Sequence, residues 1–464
     1  MEFTVNYKLS DEKSTTECEG EAKAVLDEKY LTLVVAFGEP MLFSYSDIVG
    51  ISAHEYSVDL FFTSKERLNL RGLGYQYEDF LFQLFRLRNE LLLKYLLMEE
   101  SLLQAGFEAQ FIWLDLNGQN NQTGNCEVRL YDTAVVVLPQ KGEPIRLPYC
   151  YISQVNKADY KLTVTCESGE KLEFSGLGGK FDTLAKALSD ALGKMMLRTL
   201  ENVKELIPEA DPSIVRKLAA LMKDGRAAKR KDIEQLSPDF WRRLAKRIEE
   251  AGIGTEFGFL DSRAERDQVC VGPKRGLMGD LTGSYTWLLF PLRSEGSSRL
   301  SNAVALEAFI TQDNKQENEQ PQKQTESPEP KEEGEQNPSE DETPATVGAT
   351  YFFRIKGRKE YAQAKDEELT RELEDFIKNI NRAMIEINFR REPIFLSEDQ
   401  LDSIKYVQYR FAIARIPSLR VLRSLFIGRV IHSSPEQWKS DVTSLLAFNA
   451  KSLDDEEKWK KGDL

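Results

Sequence analysis

The first 200 residues of the chain contain two copies of one pattern, separated by a constant offset of 104 residues. The shared residues keep their order and spacing without a gap: Gly38-Glu39-Pro40 recurs as Gly142-Glu143-Pro144, Tyr45 as Tyr149, Ile48 as Ile152, Tyr56 as Tyr160, and Gly72-Leu73-Gly74 as Gly176-Leu177-Gly178. Self-similarity at a fixed period indicates repeated structural units. The sequence therefore predicts two tandem domains of one fold, residues 1–100 and 104–202.

Each copy has the pattern of short strands followed by one helix. In the first copy, β-branched and aromatic runs bounded by turn residues indicate strands at residues 3–8, 22–27, 30–36, 41–45, 48–53, 58–63 and 67–71. After the glycine turn, apolar residues recur at helical spacing and predict a helix that covers the sheet with one face. These residues are Tyr77, Phe80, Leu81, Leu84, Leu87, Leu91 and Leu92 in the first copy, and Phe181, Leu184, Leu188, Leu192 and Met195 in the second.

This element order resembles the pleckstrin-homology-like (PH-like) fold, a strongly bent antiparallel sheet of two near-orthogonal layers capped by a C-terminal helix. A β-sandwich with an appended helix is the alternative interpretation of the same pattern. The predicted fold class is α+β, with tandem PH-like modules, a helical connector and a divergent third α+β module.

The rest of the chain divides into three parts. In the connector, residues 203–254, the pairs Asp211-Pro212 and Ser237-Pro238 predict helices at residues 212–223 and 238–251, ended by Gly225 and Gly252. The third module, residues 255–390, has strand-like runs at 285–290, 302–310 and 350–355 and a helix at 366–387, and a further copy of the repeat fold is one interpretation of it. Its glycine-rich stretch at 272–283 has the pattern of an irregular loop. The C-terminal part, residues 391–464, has a helical pattern.

An acidic segment interrupts the third module at residues 313–345. It holds eleven acidic residues and three lysines and supplies −8 of the net charge of −14. Because it lacks aromatic and large aliphatic residues, we expect it to be disordered. The net charge disfavours nucleic acid as a partner, whereas a basic partner for this segment is compatible with it.

Composition also predicts where the protein works. The chain has no run of about 18 apolar residues, and its start lacks the pattern of a signal peptide. Its five cysteines form no CxxC pair, as expected for reduced thiols rather than a disulfide framework or a zinc site. We therefore expect a cytoplasmic protein.

The sequence offers little for catalysis. It contains only two histidines, His54 and His432, and no GxSxG, HExxH or GxxxxGK[ST] motif. The glycine pairs before the two helices have two interpretations: an anion site, or a turn that requires positive φ, which we favour. We predict no enzyme, no catalytic residue, no metal and no cofactor.

The PH-like resemblance implies binding of inositol phosphates through basic residues in the loop between the first two strands. Here that loop is acidic in the first copy, at residues 10–20, and neutral in the second, at residues 117–124. Neither loop could neutralise several phosphates. The fold's other use, as a platform for proteins and peptides, is therefore the better inference.

Two cationic stretches are candidate binding sites. In the connector, a site for an anionic partner would use Arg226, Lys229, Arg230, Arg242 and Arg243, beside Phe240 and Trp241. Between residues 404 and 434, which hold no acidic residue, a membrane or partner contact would use Arg410, Arg415, Arg420 and Arg423. The alternative for both stretches is a solvated helix face whose apolar residues pack inward.

The leading hypothesis is a non-enzymatic scaffold that binds one or more proteins through its PH-like modules. Two alternatives stay open. One is peripheral binding to an anionic membrane through the basic C-terminal stretch. The other is histone-chaperone-like binding of basic partners through the acidic segment, by analogy with tandem PH-like domains in histone-chaperone subunits.

Overall fold

A computed structural model describes residues 1–11, 16–96, 100–115, 117–275, 284–293, 299–310, 348–361, 363–432 and 434–448. The predicted acidic disordered segment, residues 313–345, lies outside the described residues, as does most of the loop between the first two strands. The chain forms two compact units. Unit 1 is Met1–Leu197 with Ala383–Arg420, and unit 2 is Arg198–Arg382 with Val421–Leu464.

Module 1 is a seven-stranded antiparallel sheet followed by a helix. Its strands are β1 (Glu2–Ser10), β2 (Thr16–Leu26), β3 (Tyr30–Val35), β4 (Met41–Ser44), β5 (Ile48–His54), β6 (Ser57–Phe62) and β7 (Arg67–Arg71), and helix α1 is Tyr77–Leu96. The strand order is β4-β3-β2-β1-β7-β6-β5. Strand β1 pairs with β2 along its whole length and with β7 over its second half, so that it joins the two halves of the sheet.

Module 2 repeats this architecture. Its strands are β8 (Leu102–Leu114), β9 (Asn120–Tyr131), β10 (Ala134–Pro139), β11 (Ile145–Pro148), β12 (Ile152–Ala158), β13 (Lys161–Cys166) and β14 (Lys171–Ser175), and helix α2 is Phe181–Leu206. The strand order, β11-β10-β9-β8-β14-β13-β12, is that of module 1. The predicted fold class is confirmed: the chain is α+β, with curled antiparallel sheets and C-terminal helices in a tandem PH-like architecture.

The recurring glycines and tyrosines shape equivalent turns in both modules. Gly72 and Gly176 adopt φ of +81° and +70°, and a Cβ on Gly72 would lie 2.8 Å from Nδ2 of Asn6. The turn before each helix therefore requires positive φ, as predicted. Tyr56 and Tyr160 also have positive φ, in the turns between β5 and β6 and between β12 and β13. Each packs its ring against the first residue of the module's helix, 5.3 Å from Tyr77 in module 1.

The apolar stripe of α1 fills the core of module 1. Phe80 and Leu84 are fully buried, and the ring of Phe80 packs edge-on against Phe3 of β1 at 5.2 Å. The equivalent stripe of α2 buries Leu184, Leu188 and Met195 in module 2. The predicted helical periodicity is thus confirmed in both copies.

The remaining elements follow in chain order. They are α3 (Pro212–Leu221), β15 (Ala228–Lys229), α4 (Arg230–Leu236), α5 (Phe240–Glu250), α6 (Gly254–Asp261), β16 (Cys270–Arg275), β17 (Ser284–Arg293), β18 (Leu300–Ile310), β19 (Ala349–Arg354), α7 (Arg358–Tyr361), α8 (Asp366–Glu386), α9 (Glu392–Phe395), α10 (Glu398–Leu401), α11 (Val407–Arg415), α12 (Pro417–Leu425), β20 (Phe426–Ile431) and α13 (Pro435–Phe448). Helices α9 to α11 belong to unit 1.

The third sheet lies in unit 2 and is a plain meander, β15-β16-β17-β18-β19-β20. Among the described strands it lacks the order of modules 1 and 2, so it is α+β without repeating their fold. The helix predicted at residues 366–387 is confirmed as α8, and its Phe376 packs on Phe353 of β19 at 5.4 Å.

One strand of the third sheet comes from a part of the chain predicted to be helical. Strand β20 lies in the predicted C-terminal helical part, whereas the short strand β15 lies between the two helices predicted in the connector. The helical prediction is wrong at β20 because pairing with β19 decides the structure of this short apolar run.

The glycine-rich stretch is a strand in its first part. Gly272 lies in β16, where a Cβ would come within 2.3 Å of the Gly225 carbonyl oxygen and 2.7 Å of Nε1 of Trp287. That indole donates a hydrogen bond of 2.8 Å to the same carbonyl. The prediction of a loop is therefore wrong here, because the glycine serves a close backbone approach inside a sheet. Residues 276–283 lie outside the described residues.

Of the two helix starts predicted in the connector, one is confirmed and the other is wrong. Asp211 caps α3, since its side chain accepts a hydrogen bond of 2.7 Å from the amide of Ser213. Ser237, predicted to cap the next helix, instead ends α4, and α5 begins at Phe240. Gly252 follows α5 with φ of +87°, as predicted for a helix stop.

The burial of the five cysteines predicts their reactivity. Cys126, Cys150, Cys166 and Cys270 are buried, and burial raises the pKa of Cys126 and of Cys270 to about 12. Only Cys18 is partly exposed. Because the thiolate is the reactive form, we expect a thiol reagent at neutral pH to label one thiol per folded chain and five after denaturation. Cys18→Ser should abolish labelling of the folded chain; labelling of a second thiol at a similar rate would contradict the described packing.

Candidate interaction surface

Helix α1 of module 1 covers one face of the module 2 sheet. Leu93 of α1 forms a buried cluster with Tyr131 of β9 and with Val136 and Leu138 of β10. Val136 is paired with Arg129 on one side and Arg146 on the other, so these side chains share that face. We call this surface, completed by Lys141 and Glu143 of the β10–β11 turn, the covered face.

A buried arginine fixes α1 to the covered face. The side chain of Arg88 is 1% exposed, and its Nη2 donates to Oε1 of Glu143 at 2.9 Å and to the carbonyl of Ile48 at 3.1 Å. Arg415 of α11 donates to Oε2 of the same glutamate and, over 3.2 Å, to the same Ile48 carbonyl. We call this group of Arg88, Glu143, Arg415 and the Ile48 carbonyl the joint.

The charges in the joint depend on one another. Burial lowers the pKa of Arg88, and the Glu143 carboxylate offsets part of that effect. Burial would raise the pKa of Glu143, but the hydrogen bonds and charges of Arg88 and Arg415 outweigh it and lower that pKa below its usual 4.5. The joint therefore holds an ionised glutamate between two guanidinium groups.

Further polar contacts surround the joint. Asn89 donates to the carbonyl of Gly142 at 3.0 Å, Glu78 pairs with Lys141 at 2.7 Å, and Glu90 pairs with Arg129 at 2.6 Å. The Glu78–Lys141 pair is exposed and contributes about 0–1 kcal/mol, whereas the Arg129 side chain of the second pair is only 16% exposed. Both pairs, like Asn89, link α1 to the covered face.

Arg146 anchors a second segment to the covered face. Its guanidinium is buried between the carboxylates of Glu100, at 3.2 Å, and Glu386, at 3.3 Å. It also donates to the Glu386 carbonyl in the last turn of α8, where a cation complements the helix dipole. These two carboxylates raise the pKa of Arg146 against the effect of burial, which would lower it.

Module 1 has the same face, but it is exposed. With the 104-residue offset, Val34 replaces Leu138, Phe37 replaces Lys141, and Leu42 replaces Arg146. Val34 is 42% exposed, Phe37 96% and Leu42 63%, whereas Leu138 is only 8% exposed. Leu42 is paired with Thr32, so the strand residues point to the same side as their counterparts in module 2. We call the surface formed by Tyr30, Val34, Phe37, Glu39 and Leu42 the open face.

The predicted connector site is largely occupied by internal ion pairs. Lys229 pairs with Glu374, and Arg230 pairs with Glu234 at 2.7 Å and with Asp261 at 3.2 Å while stacking over Trp241. Arg243 pairs with Glu209 at 3.3 Å. Arg242 pairs with Asp239 at 3.2 Å, and Arg226 is partly buried. The structure therefore does not bring these five cations together as one cluster.

The four arginines of the predicted C-terminal site are also separated, and each makes its own contacts. Arg415 belongs to the joint, and Arg410 lies 3.5 Å from Asp402. Arg420 donates to the carbonyl of Ala414 at 2.9 Å, and Arg423 is partly buried in α12. Within the described residues, no helix combines the length and the apolar character needed to cross a membrane.

The two histidines differ in environment. His54 is exposed at the end of β5. The ring of His432 lies 2.9 Å from the hydroxyl of Thr350, which accepts a hydrogen bond of 3.0 Å from the indole of Trp438. Burial lowers the pKa of His432 to about 4, so this imidazole is neutral at physiological pH.

Sequence reasoning named neither the joint nor the open face. One signal was available: β10 is apolar at all six positions, which is typical of a strand buried on both faces, whereas β3 contains Thr32 at its third position. The recurrence of Gly-Glu-Pro in both modules also pointed to the turn that holds Glu143 and Glu39. The pairing of Glu143 with Arg88 and Arg415 could not be derived from spacing.

Comparison with known proteins shows a likeness at the level of structure. No family model matches the chain, and no curated protein matches it. Among solved structures, the chain is similar to one described as the structure of the Spt16D Pob3N heterodimer, with 14% sequence identity and a TM-score of 0.15. That match covers 40% of this chain and 88% of the other.

The repeat supplies a matched pair of substitutions that tests the joint. Glu143→Ala leaves the Arg88 guanidinium buried without its carboxylate, whereas Glu39→Ala changes the equivalent exposed residue of module 1. Losing one partner of a buried pair costs roughly 3–5 kcal/mol, and we expect about 2 kcal/mol here because the Glu143 side chain is 49% exposed. Hydrogen exchange of α1 and β10 amides in the full chain should therefore accelerate about 30-fold in Glu143→Ala. Equal exchange in the two variants would contradict the role of the joint.

The lowered pKa of Glu143 also predicts a pH dependence. A carboxyl whose pKa is lower in the folded chain stabilises it fully above its unfolded value of 4.5, and that contribution is lost as the pH falls through the lowered native value. Because glutamine resembles a protonated glutamate, wild type and Glu143→Gln should differ in exchange protection of α1 at pH 7 and converge below pH 4.5. A difference that stays constant down to about pH 2 would contradict this prediction, provided that intrinsic exchange rates are corrected at each pH.

Proposed function

We propose that this chain is a non-enzymatic scaffold that binds other proteins through its tandem PH-like modules. The observation that carries the proposal is the open face of module 1. It presents Val34 to solvent at the position whose counterpart in module 2, Leu138, is buried against α1, and Phe37 and Leu42 are exposed on the same face. A contiguous exposed apolar patch beside polar residues is typical of a protein-binding surface.

The surroundings of the two histidines support a role without catalysis. The ring of His432 is partly buried and hydrogen-bonded to the hydroxyl of Thr350, which also accepts a hydrogen bond from the indole of Trp438. The exposed side chain of His54 has no hydrogen-bond or ion-pair partner among the described residues. We propose no catalytic residue, metal ligand or cofactor.

The arginines of the C-terminal cationic stretch support the scaffold over the membrane alternative. A membrane-bound segment needs several cations free to face the lipid headgroups. Arg415 is engaged by Glu143, and Arg410 lies near two carboxylates, Asp402 and Asp47. Binding of a basic partner to residues 313–345 stays a prediction.

A pair of substitutions tests the docking role of the open face. Leu42→Asp places a charge in the middle of that face, and Leu197→Asp changes a residue of nearly equal exposure, 62%, on α2. Full-length wild type and both variants are immobilised and exposed to nuclease-treated native extract at high salt. We expect at least one protein to be retained by wild type and by Leu197→Asp and to be lost with Leu42→Asp, because burying an aspartate in an apolar contact costs several kcal/mol.

Folding of the variants is checked by circular dichroism and thermal melting of each full chain. Since both changed residues are exposed, we expect melting temperatures close to wild type. If all three proteins retain the same set of partners, the open face is not the docking surface, and the proposed location of the binding site is wrong. If none of them retains any protein, the scaffold role itself is contradicted.

A further inference from the structure

We propose that the open face of module 1 binds an amphipathic α-helix of a partner protein, which lies across the sheet as α1 lies across module 2 and pairs an arginine with Glu39. This inference rests on the scaffold function proposed above and specifies the chemistry of the partner. The internal contact between α1 and module 2 serves as the template for it.

The acceptor of the arginine is present in both faces. Glu39 occupies in module 1 the place that Glu143 occupies in module 2, within the same Gly-Glu-Pro turn. The preceding glycine has φ of +128° in module 1 and +119° in module 2, so the two turns share their backbone conformation. Glu39 is exposed and has no ion-pair or hydrogen-bond partner among the described residues. The open face therefore offers an unused carboxylate beside its apolar patch.

The differences between the two faces specify the rest of the helix. Three cations of the covered face, Arg129, Lys141 and Arg146, correspond in module 1 to the apolar residues Val25, Phe37 and Leu42. Helix α1 meets the first two of these cations with Glu90 and Glu78. A helix on the open face would leave such carboxylates without a partner, so it should carry aliphatic residues there and keep the arginine.

The chain's own helix α2 does not meet this requirement. With the repeat offset, Leu192 and Gly193 stand in α2 where α1 has Arg88 and Asn89. Helix α2 of a second copy therefore has no arginine at the position that would pair with Glu39. Helix α1 is already held in the joint through Arg88. These facts favour a helix from another protein over self-association.

A peptide derived from α1 is a suitable probe. It carries the sequence of Tyr77–Leu96 with Arg88, Asn89 and Leu93 kept, and with the two glutamates of the module 2 contact changed to leucine. Four residues that α1 buries in module 1 are changed to glutamine for solubility: Phe80, Leu81, Leu84 and Leu91. A second peptide additionally carries Arg88→Glu. Both are labelled with a fluorophore and titrated with the full-length chain by fluorescence anisotropy.

Charge reversal on both sides gives the decisive comparison. We expect the arginine peptide to bind wild type at least 10-fold more tightly than the glutamate peptide, and Glu39→Arg to reverse this preference. Leu42→Asp should weaken binding of both peptides at least 10-fold, whereas Leu197→Asp should not change it. Absence of saturable binding to wild type, or binding that ignores both Glu39→Arg and Leu42→Asp, would overturn the proposal.

Two outcomes separate this inference from the scaffold function. If Leu42→Asp removes a retained protein but neither peptide binds, the open face docks a partner that is not a helix of this kind, and only the inference falls. If sedimentation velocity shows self-association of the chain that Leu42→Asp abolishes, the occupant is a second copy and the proposal of a foreign helix is wrong. If neither capture nor peptide binding responds to Leu42→Asp, both proposals fall.

Discussion

The packing of unit 1 depends on a charge that is almost completely removed from water. A buried guanidinium is tolerated only where carboxylates and carbonyl oxygens surround it, and Arg88 finds both in Glu143 and Ile48. Because these partners come from module 2 and module 1, respectively, the requirement fixes where α1 lies on the second sheet. Arg415 completes the joint from α11, so a segment far along the chain is held by the same carboxylate.

The two modules share one fold but differ in whether a helix covers the equivalent face of the sheet. In module 2, every residue of β10 is buried, and its Val136 and Leu138 lie against Leu93 of α1. In module 1, Val34, Phe37 and Leu42 remain exposed on an equivalent strand pair and turn. The backbone, the pairing register and the Gly-Glu-Pro turn are shared, so the two faces differ in their side chains and in the presence of a covering helix. This asymmetry between copies is the basis of the docking function proposed for module 1.

Much of the fold could be predicted because its causes are local. The glycine turn at Gly72, the stripe of α1 and the cap at Asp211 each follow from neighbouring residues, and the structure confirms them. Strands β16 and β20 were missed because long-range pairing decides their structure. The joint was missed for the same reason: Arg88, Glu143 and Arg415 are separated by 55 and 272 residues, and only the packed chain brings them together. Lys229 and Arg230 looked like free cations in the sequence because their partners Glu374 and Asp261 are also distant.

The central claim is that module 1 holds, on its β3–β4 face, the counterpart of the site that α1 fills in module 2. Hydrogen exchange of the full-length chain, with and without a saturating amount of the arginine peptide, tests it most directly because exchange reports protection along the backbone. The account predicts that residues 30–44 gain protection, that residues 134–148 do not change, and that Leu42→Asp abolishes the gain. Protection that appears at residues 134–148 or in unit 2, with none at residues 30–44, would contradict it.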